Sequence, residues 1–130
     1  MNRRDEQPRQ SLVNKFRLAW RGLRRGVRSE SNFFVHLLMA AMVIAAAGVL
    51  RCTLIEWCVL VLCVAAVLAT EMLNTAIEHL AKAVSEKRNP FLADALDMAS
   101  AAVLLASAGA AIAGTIVLGH RIGILLSWWS

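Results

Sequence analysis

The sequence predicts an all-α integral membrane fold, with an N-terminal amphipathic surface helix followed by three transmembrane helices. Three observations predict it. The 130-residue chain is 58% hydrophobic and 18% charged, with a mean hydropathy of +0.59. Soluble domains of this length do not carry that much apolar mass. Uncharged apolar runs recur at lengths that fit a bilayer. The charge is also segregated, because residues 1–31 hold nine of the fourteen Lys and Arg. Such a basic flank suits anionic lipid or a cytosolic face. It does not imply nucleic acid as a partner, since the rest of the chain has no aqueous fold to present it.

The elements follow in order. Residues 10–29 set Leu12, Phe16, Ala19, Trp20, Leu23 and Val27 on one stripe, with Lys15, Arg17, Arg21, Arg24, Arg25 and Arg28 around it. That pattern is a helix lying in the interface plane. Gly22 and Gly26 weaken it, an effect that lipid contact offsets. Residues 33–50 form an uncharged run just long enough to span. Arg51, Cys52 and Thr53 make a short turn. A second helix, 54–84, is longer than the bilayer needs, so its end protrudes into water. A polar loop covers 85–92, with Pro90 suited to the first turn of the next helix. The third span covers 93–118. Its Ala-rich core lets helices approach closely, which suits burial against partners. Residues 119–130 read as an interfacial tail anchored by Trp128 and Trp129.

Cys52, Cys58 and Cys63 show no CxxC or zinc spacing and read as small packing residues. No secretory signal peptide is expected, since no cleavage site follows the first apolar run. The N-terminal flank and the second loop together hold twelve Lys and Arg, against Arg51 and Arg121 on the other side. The positive-inside rule then puts the N-terminus and loop 85–92 in the cytoplasm and the C-terminus outside.

Polar residues interrupt the second span at its cytoplasmic end. At 100° per residue, Glu71, Asn74, Glu78 and Lys82 share one stripe, with Thr75 beside them. Glu71 falls at the hydrocarbon boundary, where an acid is costly and usually functional. Glu30 precedes the first span and Asp97 the third, so each span brings an acid to the same boundary. Asp94 and Glu86 read as ordinary helix-end acids. His36 and His79 read as packing or surface residues. Several carboxylates with an Asn can hold Mg²⁺, which usually keeps phosphates as co-ligands. A further carboxylate, partly desolvated, can take the proton of a lipid hydroxyl. Phosphoryl transfer needs little beyond positioning and charge stabilisation. There is no Walker A motif or kinase Gly-rich loop.

The stretches ESNFFVH (30–36), EMLNTAIE (71–78) and ALDMASAAVLL (95–105), with WRGLR (20–24) upstream, resemble the small prokaryotic diacylglycerol kinases, a family that includes undecaprenol kinases. The likeness covers residues 12–118. It implies a homotrimeric inner-membrane enzyme that transfers the γ-phosphate of MgATP to a lipid alcohol. By position it implies Glu71 as the catalytic base, also touching the lipid, and Glu30 and Glu78 as magnesium carboxylates. It places Glu30, Asn74, Glu78, Lys87, Arg88, Asn89 and Asp97 at the ATP site and Ser100 near the lipid.

Two positions depart from that family. Leu96 stands where a Lys usually precedes the aspartate, and Lys82 stands where an Asp often occurs. Lys82, one turn beyond Glu78, is a candidate for the displaced positive charge, with Lys87 and Arg88 as alternatives. A small channel or transporter subunit using Glu71, or an inactive relative, is the competing reading.

Overall fold

The structure, a computed structural model, describes residues 11–29, 31–84 and 89–127, and all its regular structure is α-helical. The helices are α1 (Leu12–Ser29), α2 (Ser31–Val49), α3 (Leu54–Val84) and α4 (Pro90–Leu125). The last three are each long and apolar enough to cross a membrane.

Each boundary has a local cause. Ser11 caps α1, its hydroxyl accepting from the Asn14 N–H at 3.3 Å. α2 ends in a Schellman motif, with Cys52 N–H donating to the Ala47 carbonyl at 3.1 Å and Arg51 N–H to that of Gly48 at 3.2 Å. The left-handed residue there is Arg51, at φ 52°, a position that usually takes Gly. Two residues later a capping box starts α3. Glu56 Oε2 accepts from Thr53 N–H at 2.6 Å, and Thr53 Oγ1 accepts from Glu56 N–H at 3.4 Å.

α4 is longer than the span 93–118 at both ends. At its start the helix runs from Pro90, the residue suited to its first turn, so positions 90–92 of the expected loop are helical. Asn89 adopts an extended N-cap conformation and accepts from Phe91 N–H at 3.0 Å. With Pro90 pre-set for the first turn, the helix starts there. At the far end, residues 119–125 continue the helix instead of forming a separate tail. Arg121 fastens this extension, its Nη2 donating to the Arg51 carbonyl. Its Nε lies 3.4 Å from Glu56 Oε2, within ion-pair range. Trp128 and Trp129 lie outside the described residues.

α3 packs chiefly on α4, α2 lies against α3, and α1 touches α2 and α3. The buried positions of α2 are Phe33, Ala40 and Ala47, a seven-residue repeat that presents one seam to its neighbours. Leu60, Ala81 and Ala99 complete a core of mostly small side chains. Large apolar residues instead cover the outside, among them Leu38, Leu62, Leu104 and Ile116. A hydrocarbon surround accounts for this, because lipid tails solvate Leu and Ile as well as another helix would. Gly26 of α1 is buried, and a Cβ built there would meet the Met72 thioether. The glycine thus brings α1 close to α3, one residue beyond Glu71.

Candidate active site

The polar end of the bundle is built by three helices. α3 supplies Glu71, Asn74 and Glu78, α2 supplies Asn32 and His36, and α4 supplies Ser100, with Val35 and Val103 completing a cleft of about 290 Å³. Thr70 prepares the boundary on α3. Its hydroxyl bonds back to the Ala66 and Val67 carbonyls, both at 2.9 Å, so the polar face begins only at the next residue.

Glu71 is 3% exposed. Its Oε2 lies 3.8 Å from His36 Nε2, longer than a hydrogen bond and within ion-pair range. Asn74 is also buried, and its Nδ2 donates to Glu78 Oε1 at 3.0 Å. That bond points the Asn74 amide oxygen away from Glu78, and among the described residues the buried Oδ1 has no hydrogen-bond partner. A buried acceptor left this way carries a cost that any donor, water included, would relieve. Thr75 is buried on the same helix.

The expected residues fall into three groups. Glu71, Asn74, Glu78 and Ser100 come together in the cleft. Asp97 and Lys82 are exposed and form no part of its wall, and Asn89 is exposed and occupied as the cap of α4. Glu30, Lys87 and Arg88 lie outside the described residues. His36 and Asn32 were missed as site residues. Their signal was present, since polar residues at i and i+4 on an otherwise apolar span share one face.

A second, apolar cavity of about 160 Å³ lies deeper along the same helices, lined by Met39, Val43, Leu60, Val64, Val67 and Leu68 among others. His36 borders both cavities. The two cavities set a polar, carboxylate-lined environment next to an apolar one, the pairing that an amphiphile with a hydroxyl end would match.

The profile of the family "Prokaryotic diacylglycerol kinase" matches residues 17–118. The chain belongs to the prokaryotic diacylglycerol kinase family. This is an ATP-dependent lipid kinase family of integral membrane enzymes. One relative is the undecaprenol kinase of Bacillus subtilis, 31% identical over 99 residues, which cover 76% of this chain and 80% of that one. Another is the diacylglycerol kinase of Synechocystis, 35% identical over 105 residues, covering 80% of this chain and 60% of that longer one. No solved structure matches the chain significantly. The family match includes every residue of the cleft.

Proposed function

We propose that this kinase transfers the γ-phosphate of ATP to the hydroxyl of a membrane lipid alcohol at the cytoplasmic membrane boundary. Glu71 is the base. Its burial at the end of an apolar span, in the wall of a polar cleft that shares His36 with an apolar cavity, is the observation that carries the proposal. The Glu71 carboxylate accepts the hydroxyl proton as the lipid oxygen bonds to the γ-phosphorus. The bond from that phosphorus to the β–γ bridging oxygen breaks, ADP leaves with the electron pair, and Glu71 returns the proton to water.

The donor set fits Mg²⁺. Glu78 offers a carboxylate and Asn74 an unpaired amide oxygen, and such ions settle for one or two protein oxygens plus phosphates. Glu30 joins them by its place in the motif. When bound, the ion neutralises charge on the phosphates. Asn74 and Glu78 hold each other in place for that duty. Asp97, Asn89 and the loop residues Lys87 and Arg88 border the nucleotide in this proposal, with Ser100 near the lipid. Lys82, Lys87 or Arg88 supplies the cation that Leu96 lacks.

The acceptor we propose first is diacylglycerol, giving phosphatidic acid. Undecaprenol is the second reading, favoured by the name of the Bacillus relative. The enzyme is proposed to work as a homotrimer in the bacterial inner membrane. The basic N-terminus and the loop before α4 face the cytoplasm, and the C-terminus lies on the outer side. Purified protein with labelled ATP, Mg²⁺ and either lipid in mixed micelles tests the proposal. Labelled lipid phosphate supports it. No transfer to either lipid from folded protein would leave the channel or inactive-relative reading.

A further inference from the structure

We propose that His36 is the positioning residue for Glu71, holding the carboxylate so that one oxygen faces the incoming lipid hydroxyl. This rests on the assignment of Glu71 as base. Among the described residues, His36 is the one side chain within ion-pair range of Glu71, and no hydrogen bond reaches that carboxylate. A Glu side chain carries three rotatable bonds, so an acid with no holder samples several orientations.

The contact comes from a different helix. α2 supplies the imidazole and α3 the acid, so the pair ties the orientation of the base to the packing of the two spans. Nε2 faces Glu71 Oε2, and the tautomer with its proton on Nε2 donates toward that oxygen. A hydrogen bond would form on shortening the 3.8 Å separation by less than about 1 Å. Oε1 is then left free to accept the hydroxyl proton.

The place of His36 in the fold favours this role over simple packing. Among the described residues, His36 is the one that lines both the polar cleft and the apolar cavity. An amphiphile with its chain in that cavity and its hydroxyl at Glu71 would lie against this ring. A packing histidine would serve as well if it were Leu. A positioning histidine depends on a donor at the Nε2 position.

His36→Gln places an amide N–H near the Nε2 position, whereas the shorter amide of His36→Asn falls near Nδ1 and does not reach. Both variants are polar and small enough to be accommodated, and His36→Leu serves as the apolar control. Turnover at saturating lipid, KM for MgATP and the unfolding midpoint in detergent are measured for each, with Glu71→Gln alongside. The expected result is a kcat loss on the order of tenfold or more for Asn and Leu, as misplacement by about 1 Å commonly causes. KM for MgATP stays within about twofold, and Gln recovers turnover to within a few-fold of native. Equal losses for Gln and Asn, or near-native turnover in both, would overturn the proposal. Near-native turnover in Glu71→Gln would instead remove the base assignment itself.

Discussion

At the scale of the residue, the proposed site centres on a buried acid, Glu71, and on the Asn74 amide, whose oxygen has no hydrogen-bond partner among the described residues. Glu71→Gln keeps shape and hydrogen-bonding capacity but cannot take a proton. Lipid phosphorylation should fall about 100-fold or more, the usual range for a lost general base, with the unfolding midpoint unchanged. Near-native turnover would exclude Glu71 as base. Glu78 calls for a different substitution. Replacing it with Ala would also strip the acceptor from Asn74 Nδ2, and a buried donor left bare costs about 1–3 kcal/mol. Glu78→Gln keeps that acceptor and removes only the charge. Its KM for MgATP should rise on the order of tenfold, partly rescued by raised Mg²⁺, while KM for lipid holds. A change confined to the lipid KM would show that Glu78 does not serve the metal.

At the scale of the element, the α2–α3 connection joins two helix ends in four residues. A Schellman motif closes α2, a capping box opens α3, and Arg121 of α4 grips the carbonyl exposed between them. Arg51 pays a conformational cost at φ 52°, on the order of 1 kcal/mol for a residue with a Cβ. Glycine is free of that cost but is more flexible when unfolded. Arg51→Gly should therefore be neutral or stabilising, since Arg121 binds the backbone and not the side chain. Arg51→Val removes the same charge but adds a branched Cβ, and should destabilise by more than about 1 kcal/mol. Unfolding of the pair in detergent checks this. Equal stabilities would mean that the backbone at residue 51 is not constrained. Burial raises the Cys52 thiol above its ordinary pKa, with Glu56 adding to the effect and Arg121 opposing it, so the thiol beside this turn stays protonated and poorly nucleophilic.

At the scale of the whole molecule, a single chain buries few large side chains and leaves α4 with none buried in its most apolar stretch. Lipid covers much of that surface, and we propose that other copies cover the rest. The Ala and Gly residues of α4 permit close helix contact between protomers. Light scattering of the detergent-solubilised protein, corrected for bound detergent, should give three chains per particle. A monomer that retains full turnover would exclude the trimer as the working unit.

Much of this protein was legible from the order of its residues. In a bilayer every backbone group must be satisfied within the helix, so length and hydropathy alone defined three spans. The period of the helix placed Glu71, Asn74 and Glu78 on one stripe before any neighbour was known. The T-x-x-E cap of α3 was equally local, although only the structure drew it out. Two features depended on partners distant in sequence. Arg121 reads as part of a polar tail until the fold sets it against Arg51 and Glu56, 70 and 65 positions earlier. His36 reads as a lone packing residue until α2 lies beside α3. Hydropathy and periodicity describe one helix at a time. Which residues of two helices meet depends on their rotation and relative height, and packing of the whole chain decides both.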